Sequence, residues 1–325
     1  MRLDLGGHPL HTRALSVVVG REAQGLSVSA DLLDLRKRGF TPVGTEMQGA
    51  GIIHQMGLDA HLAGGVITRL AARQPVVAFE ASAATRGESC RTVVTRVAAL
   101  IGTACDDSAR LREALGGALG CSHLLAAAQL LCATAAAYAG AGGAAPVQAT
   151  VLRRDLVFDG HDRGDGRLAI GIQLSDLHTE PAAAGERPMA RFAGHDELRL
   201  WVDLDGWPAR VVALRGAERR RRLAQFATAP WVDLTAALAP LTGVTLGKGS
   251  APALRETAAG RPALQAALQQ LGPALIQCRA SFPDKWLNVA ATTPGHAGLI
   301  GMADSCYMWR RGGALQQVRE SSSDT

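Results

Sequence analysis

The segment Gly120-Cys121-Ser122-His123-Leu124 has the residue types best suited to chemistry. It follows a pair of glycines and precedes an apolar run, so we expect it to open a helix. A thiol at that place lies near free backbone N–H groups and the positive end of the helix dipole, which favour the thiolate. With an imidazole two residues later, the segment predicts a Cys nucleophile with a His base, or acid–base chemistry by the pair.

Three further residues are candidates to support this pair. We expect the sheet and the preceding helix to bring in His54 and Cys90, with Asp34 assisting. The same thiols and imidazoles also suit Zn or Fe, with Cys90, Cys121 and His123 as ligands. A third interpretation is that Cys121 is a small buried residue and His123 a hydrogen-bonded surface histidine. Spacing alone leaves the three interpretations open.

Hydrophobic periodicity predicts the elements that position these residues. Alternating segments at 15–19, 26–32, 56–62, 66–70 and 76–79 predict short antiparallel strands. The pattern then becomes helical at 91–101, 108–115 and 122–138. Asp107 and Ser108 are candidate N-caps for the second helix, and Gly116 with Gly117 is a candidate stop. A sheet followed by helices predicts an α+β fold.

The chain also resembles itself. The sequence around Asp34 recurs around Asp176, and that around His54 recurs around His195, in the same order and at nearly the same spacing. A stretch rich in Gly, Ala and Pro at 139–148 has no periodicity and predicts a linker. We therefore expect a tandem repeat of two α+β units, residues 1–140 and 149–325, that form a pseudo-dimer.

The two units differ in chemically active residues. At the same spacing Cys121 falls on Leu264 and His123 on Ala266, and four of the six cysteines precede the linker. Duplication allows one site to be lost while the other is kept. The sequence therefore predicts a site in the first unit, with the second unit degenerate.

Composition excludes several classes of protein. The chain has 325 residues, 47% hydrophobic and 19% charged, with a net charge of +5, which is unlike disordered, collagen-like or coiled-coil chains. The six cysteines form no C-x-x-C pair and the first residues lack a signal pattern, so we expect a cytoplasmic protein. The apolar run at 124–138 is too short to span a bilayer, so no membrane is expected. Few aromatics accompany the basic run at 219–222, whose role stays open, so no nucleic-acid partner is expected.

Five segments form a pattern along the chain: His11-Thr-Arg13, His54-Gln-Met56, Cys90, the segment at 120–124, and the segment at 304–315 that contains Cys306-Tyr-Met-Trp309. The pattern resembles an uncharacterised bacterial domain family whose members carry H-D-M, a single Cys, G-C-T-H-L and a closing C-x-x-W/R element. The chain has Gln in place of Asp in the first motif and Ser in place of Thr in the third. The resemblance covers the first unit and, degraded, the second. It implies a fold and a site, and an association with bacterial catabolism of aromatic or terpenoid carbon.

A more distant similarity is to iron–sulfur scaffold proteins of the IscU/NifU type. Cys90 and Cys121 would occupy the places of two of that family's cysteines. The family's first cysteine has no thiol counterpart here, because the region at 42–51 lacks Cys. The similarity therefore implies a shared fold more than a shared activity.

The second part of the chain supplies candidates for substrate binding. We expect the C-terminal segment to fold back and complete the site, and we expect an apolar pocket between the units to be lined by aromatic side chains. The candidates are Trp201, Trp309, Tyr307, Asp304 and Cys306.

These observations together predict a lyase, hydratase or isomerase that acts on a small hydrophobic molecule. Cys121 and His123 would carry the chemistry, with His54, Cys90 and Asp34 in support. The residues identify no cofactor, and this interpretation assigns no metal ligand. A homodimer is compatible with it. The alternative is a metal or iron–sulfur binding module.

Overall fold

The computed structural model describes residues 6–37, 51–83, 85–140, 150–164, 166–180, 191–206, 208–247, 249–281 and 304–317. Residues 141–148 of the predicted linker at 139–148 therefore lie outside the described residues. The strands are β1 (His8–Glu22), β2 (Gly25–Arg36), β3 (Gly51–Ala63), β4 (Val66–Val76), β5 (Thr150–Gly164), β6 (Arg167–Thr179), β7 (Phe192–Asp205), β8 (Arg210–Arg221) and β9 (Val232–Asp233).

All nine strands belong to one antiparallel sheet in the order β4-β3-β2-β1-β5-β6-β7-β8-β9. The first four strands form one meander and β5 to β8 form another. The meanders meet where β1 pairs with β5, with Leu15 opposite Leu156. Strands that precede residue 141 pair with strands that follow residue 149. The first stretch of the chain, up to residue 140, and the second stretch, from residue 150, therefore share one sheet and one main hydrophobic core.

Alternation along the strands decides which side chains face the helices. In β1 the buried positions include His11, Arg13, Leu15 and Val17, and the residues between them are partly exposed. Side chains at every second position of a strand share one face. His11 and Arg13, two residues that can carry charge, are therefore buried at the start of β1 on the same face as its apolar side chains.

The helices follow each meander. After β4 come a 3₁₀ helix at Cys90–Leu100, α1 (Ser108–Leu115) and α2 (Ser122–Gly140), and after β9 come α3 (Thr235–Leu238), α4 (Ala251–Thr257), α5 (Pro262–Gln269) and α6 (Leu271–Ala280). The long helix α2 packs on β1, β2 and β3, and α6 packs on β5 and β1. The α+β class expected from the sequence is confirmed.

Two local predictions need correction. No strand forms at 76–79: β4 ends at Val76, and Val77 to Phe79 continue without strand structure. Residues 90–100 form a 3₁₀ helix instead of an α-helix, with Ser89 at its N-cap. For α1 the predicted bounds are confirmed, with the Asp107 side chain accepting from Arg110 N–H and Gly116 as its C-cap.

The C-terminal segment 304–317 folds back onto the first meander's helices. Tyr307 N–H donates to Gly120 O at 2.9 Å. The Arg310 guanidinium forms an ion pair with Glu88, and the same carboxylate accepts from Ala314 N–H at 3.2 Å. The segment is thus held beside the residue that precedes Cys121.

The basic run at 219–222 lies at the end of β8. Arg219 and Arg221 pair with Glu197, and Arg222 pairs with Asp196. The Arg219 guanidinium also lies 4.3 Å from the centroid of the Trp231 ring. Three of the four arginines therefore have acidic partners on the neighbouring strand.

One helix among the described residues, over Ser122–Ala139, is long and apolar enough to cross a membrane by length and composition. Of this window, 56% is buried inside the fold. The core helix of a soluble protein, which is mostly buried, passes the same test of length and composition.

Candidate active site

The carboxylate of Asp34 is the centre of a buried polar cluster. Asp34 lies on β2 directly opposite Arg13 of β1, and both side chains are fully buried. Arg13 donates to it twice, from Nε to Oδ1 at 2.6 Å and from the second guanidinium nitrogen to Oδ2 at 2.7 Å. This bidentate geometry is the strongest form of an Arg–carboxylate pair.

Two histidines complete the shell around the carboxylate. His11 Nε2 lies 3.1 Å from Oδ1 and His123 Nε2 lies 3.0 Å from Oδ2. An ionised carboxylate only accepts hydrogen bonds, so each Nε2 carries a proton. When His123 is neutral, its lone pair is therefore on Nδ1.

That lone pair faces a thiol. His123 Nδ1 lies 3.8 Å from Cys121 Sγ, within hydrogen-bonding range for sulfur. The imidazole thus connects the Cys121 thiol on one side with the Asp34 carboxylate on the other. A nucleophile, a base and a group that orients the base are arranged in this order in Cys- and Ser-dependent enzymes.

The start of α2 places the thiol. Cys121 O accepts from Leu125 N–H at 2.9 Å, so Cys121 occupies the N-cap position. The backbone N–H groups of His123 and Leu124 lower the pKa of its thiol. Gly120 is required just before it, because a Cβ there would lie 2.1 Å from Leu115 O, the oxygen that accepts from Cys121 N–H.

Charge and burial oppose each other at Asp34. Burial alone would raise the pKa of this carboxyl, but the Arg13 guanidinium and the hydrogen bonds from its neighbours hold the pKa well below the ordinary value. Asp34 is therefore ionised and able to stabilise positive charge on His123.

The Cys121–His123 pair is neutral at rest. Burial raises the pKa of the Cys121 thiol to about 11, against the opposing effect of the two backbone N–H groups. Burial also lowers the pKa of His123, although Asp34 opposes this. The thiol proton therefore stays on sulfur until something else in the site stabilises the thiolate–imidazolium form.

His54 of β3 packs against this pair. The centroid of its ring lies 3.9 Å from that of His123. Burial, followed by the nearby His123, lowers the pKa of His54 well below its ordinary value. From the other side of the fold, the side-chain amide nitrogen of Gln277 in α6 lies 3.0 Å from His123 Nε2. Because that Nε2 carries the proton it donates to Asp34, this is a packing contact and not a hydrogen bond from the Gln277 N–H. The structure thus brings His54, Asp34, Cys121 and His123 together.

Two further thiols lie near Cys121. Cys90 begins the 3₁₀ helix, and Cys306 lies in the C-terminal segment. Charge interaction with Cys306 raises the pKa of Cys121, and charge interactions with Cys121 and Cys306 raise the pKa of Cys90. Burial is the larger effect and raises the pKa of Cys90. Backbone geometry brings Cys306 toward Cys121, because the neighbouring Tyr307 N–H donates to Gly120 O at 2.9 Å.

Three of the other residues predicted to contact the substrate are engaged by neighbouring side chains. Trp309 packs edge-on against Phe79, with ring centroids 6.0 Å apart. Tyr307 is packed against the core, beneath the Arg310 guanidinium. Asp304 accepts from Arg311 N–H and pairs with the Arg311 side chain, so its carboxylate is already engaged.

Trp201 lies on the other face of the sheet. Its neighbours Leu200 and Val202 belong to the main core, whereas Trp201 packs with Ala169 and Ala213 in a separate small cluster. Successive side chains of a strand point to opposite faces. The structure therefore does not bring Trp201 to Cys121.

Sequence reasoning gave no role in the site to His11, Arg13 or Gln277, although His11 and Arg13 belong to a segment of the family resemblance. The available signal was the pattern of β1, in which His11 and Arg13 share the face of Leu15, Val17 and Val19. Basic residues in register with a buried apolar face indicate a buried polar cluster. No sequence signal identifies Gln277, because α6 reaches the site only through tertiary packing.

A related pair without the histidines lies in the second meander. Arg154 donates to Asp176 at 2.7 and 2.6 Å, and Thr134 of α2 lies 3.4 Å from the Arg154 guanidinium. Across the described ranges, no three His, Cys, Asp or Glu side chains are grouped so that they could hold a metal ion.

Fold and site define an α+β protein with a buried Cys–His–Asp constellation at the start of its longest helix. Residues 11–137 match the family described as "Protein of unknown function (DUF2889)". This supports the expected likeness to an uncharacterised domain family over the region that contains the constellation. No curated protein and no solved structure matches the chain.

Proposed function

We propose that the protein is an enzyme in which Cys121 and His123 perform nucleophilic or acid–base chemistry on a small hydrophobic substrate. The observation that carries this proposal is the position of the His123 ring, with Nδ1 at 3.8 Å from the Cys121 thiol and Nε2 at 3.0 Å from Asp34. A lyase, hydratase or isomerase is the class we favour.

The chemistry begins with transfer of the Cys121 thiol proton to His123 Nδ1. The imidazolium that forms is stabilised by the ionised Asp34 beside Nε2, and the thiolate by the backbone N–H groups of His123 and Leu124. The thiolate can then add to one carbon of a polarised double bond of the substrate, whose π electron pair moves to the other atom and takes the proton from the His123 imidazolium. Alternatively, neutral His123 removes a proton from the substrate and the Cys121 thiol returns one, which changes no net charge.

A hydrophobic substrate fits the surroundings of the pair. The cluster is buried, and the groups that hold it are strands and helices packed in the main core. Charged groups within it are matched to one another, as in the bidentate Arg13–Asp34 pair. A neutral, largely apolar molecule therefore meets the lowest desolvation penalty on entering.

We further propose that the chain arose by tandem duplication of one α+β unit. The spacing that relates Arg13 to Arg154 also relates Leu15 to Leu156, and these two leucines face each other where β1 pairs with β5. A pair of equivalent residues opposite each other is what a local twofold axis requires. We also propose that the substrate binds between these two units.

Thiol modification tests the proposed role of Cys121 without knowledge of the substrate. We expect iodoacetamide to alkylate Cys121 faster than the buried Cys132 of the same helix, measured by peptide mass spectrometry over time. In His123→Gln the Cys121 rate should fall about tenfold, because the base that takes its proton is gone. Cys132→Ala is the matched control and should leave the Cys121 rate unchanged.

An unreactive Cys121, with a rate equal to that of Cys132 in the folded protein, would overturn the proposal. Metal analysis of the same preparations distinguishes the alternative function. Near-stoichiometric Zn or Fe that is lost in Cys121→Ala would favour a metal or iron–sulfur module with Cys90, Cys121 and His123 as ligands.

A further inference from the structure

A cavity with a volume of about 660 Å³ lies where the β1–β2 turn, the β3–β4 turn and the last residues of α2 meet. Cys105 lines this cavity together with Ala135 and Ala136 of α2. The backbone holds Cys105 in place, because its N–H donates to Gly65 O in the β3–β4 turn at 2.9 Å. A small molecule that enters the cavity therefore reaches Cys105.

A second cysteine, Cys132, lies on the same face of α2 as the helix residues that line the cavity. It precedes Ala135 by three positions and Ala136 by four, and side chains at these spacings are neighbours on a helix. Cys105 and Cys132 belong to the same hydrophobic core cluster. Cys105 exposes 8% of its surface and Cys132 1%. The pair thus consists of one thiol at the cavity and one thiol beneath it.

The two thiols affect each other's ionisation. A hydrogen bond with Cys132 lowers the pKa of the Cys105 thiol, against the opposing effects of burial and of Asp106. The hydrogen bond with Cys105, followed by burial, raises the pKa of the Cys132 thiol. Side chains must be in contact to form a hydrogen bond, so the two sulfur atoms are neighbours. The thiolate, which is the nucleophile in thiol chemistry, therefore forms more readily at Cys105 than at Cys132.

We propose that Cys105 and Cys132 are a redox-active pair, which a small disulfide that enters the cavity oxidises to an intramolecular disulfide bond. This modification site is separate from the Cys121 site. Cys121 precedes Cys132 by eleven residues, about 16 Å at the rise of an α-helix. The oxidation therefore requires no participation of Cys121 or His123.

The oxidation takes place in two exchange steps. The Cys105 thiolate attacks one sulfur of the small disulfide RSSR, so that a bond forms between Cys105 Sγ and that sulfur while the S–S bond of RSSR breaks and RS⁻ leaves. This RS⁻ takes the proton of the Cys132 thiol. The Cys132 sulfur then attacks Cys105 Sγ and releases a second RS⁻, which takes up the proton that Cys105 gave to solvent. The protein loses two electrons and two protons, and RSSR becomes two RSH.

2-Hydroxyethyl disulfide is a suitable oxidant because it is small and uncharged. We expect it to convert the reduced full chain to a form in which Cys105 is linked to Cys132, and we expect dithiothreitol to reverse this change. After acid quenching, the remaining thiols are blocked with N-ethylmaleimide in urea. Tryptic digestion without reduction and mass spectrometry then identify the linked peptides. Cys278, which is fully buried in α6, should carry N-ethylmaleimide.

Two variants separate the roles of the two thiols. Cys132→Ala removes the sulfur that completes the exchange, so Cys105 should remain a mixed disulfide with one mercaptoethanol. In Cys105→Ala the buried Cys132 should stay unmodified, because the thiol at the cavity is gone. Ala136→Trp places a bulky side chain at the exposed edge of the cavity and should slow formation of the linkage several-fold.

Cys121→Ala is the matched control, since it removes a different buried thiol at the other end of α2. It should form the linkage at the wild-type rate, so that failure of the proposed enzymatic role does not affect this result. It also leaves Cys132 as the only cysteine of its tryptic peptide, residues 113–153, which makes the assignment of the linkage unambiguous.

The redox role is overturned if wild type forms no linkage between Cys105 and Cys132 on prolonged exposure to the oxidant, or forms it only in urea. This mapping needs no variant, so it decides the question even if Cys132→Ala does not fold. A folded Cys132→Ala in which Cys105 stays unmodified would also overturn it, because the oxidant would then not reach Cys105. An unchanged rate in Ala136→Trp would overturn the cavity as the route of entry.

Discussion

At the scale of single residues, the protein maintains an ionised carboxylate and three neutral imidazoles in its interior. Arg13 makes this arrangement tolerable, because its bidentate contact compensates the buried charge of Asp34. Burial lowers the pKa of His11, His54 and His123, although Asp34 opposes the shift at each of them. Folding therefore excludes protons that the unfolded chain would take up.

This exclusion predicts a pH dependence of stability. Below the ordinary histidine pKa of 6.5, unfolded His54 binds a proton and native His54 does not, so the free energy of unfolding falls as the pH falls from 6.5 toward the lowered pKa. His54→Gln should reduce this slope by up to about 1.4 kcal/mol per pH unit. Urea unfolding at several pH values between neutral and mildly acidic measures it.

His8→Gln, at the exposed start of β1, is the matched control and should retain the wild-type slope. Asp34 acts in a different window. Its lowered pKa gives stability that is present above the ordinary value of 3.8 and is lost only as the pH falls through the lowered value. An unchanged slope in His54→Gln would contradict a neutral, buried His54.

At the scale of elements, the C-terminal segment 304–317 joins a site to which β1, β2, β3, α2 and α6 also contribute residues. Two charged residues that precede the 3₁₀ helix anchor this segment: Glu88 accepts from the Arg310 guanidinium and from Ala314 N–H, and Arg86 donates to the Gln317 side chain. The backbone bond from Tyr307 to Gly120 places the segment beside Cys121. Glu88 thus has a positioning role.

Glu88→Gln should release this segment. A charge-assisted contact of this kind contributes about 1.5 kcal/mol or more, so opening should increase about tenfold and trypsin should cleave after Arg310 and Arg311 correspondingly faster. Limited proteolysis followed by mass spectrometry measures the rate. Glu113→Gln, which removes an exposed pair with Arg110, is the control; equal cleavage in both variants would refute the anchoring role.

At the scale of the whole molecule, β1 and β5 join the two meanders into one sheet. The helices of each meander also contact the buried polar residues of the other meander. Gln277 of α6 contacts His123, and Thr134 of α2 contacts Arg154. Because the ladder and the main core are continuous, we expect the two stretches to unfold together. The predicted boundary between residues 1–140 and 149–325 would then separate repeats, not independently stable domains.

Arg13→Met tests this cooperativity in the full chain. It leaves Asp34 buried without its partner, so we expect a loss of about 3–5 kcal/mol of stability. All five tryptophans follow residue 200, but Trp309 packs against Phe79 beside the first meander. The experiment therefore uses a Trp309→Phe background, in which the remaining tryptophans, among them Trp201 and Trp231, report the second stretch. If unfolding is cooperative, the fluorescence and circular dichroism transitions should shift together to lower urea concentration.

An unshifted tryptophan transition beside a shifted circular dichroism transition would show that the stretches unfold independently. Arg153→Met, which removes an exposed pair with Asp155, is the matched surface control. It should move neither transition by more than a few tenths of a kcal/mol.

Local patterns in the sequence were sufficient for the fold class, the bounds of α1, and the placement of Cys121 at a helix start. Alternation and capping act between near neighbours, so residues such as Asp107 and Gly116 reveal them directly. The 3₁₀ helix at Cys90–Leu100 was mistaken for an α-helix because both have similar hydrophobic spacing. Its departure from α geometry depends on packing against β4 and α1.

Which polar residues meet was decided by the tertiary structure. Strand register sets Arg13 opposite Asp34, α2 brings His123 onto the same carboxylate, and α6 adds Gln277. Alternation also sends Trp201 to the face away from Cys121. The sequence determined the chemical types, the elements that carry them and the start of α2. Only the tertiary structure decided their grouping and protonation, because register, packing and burial depend on residues distant along the chain.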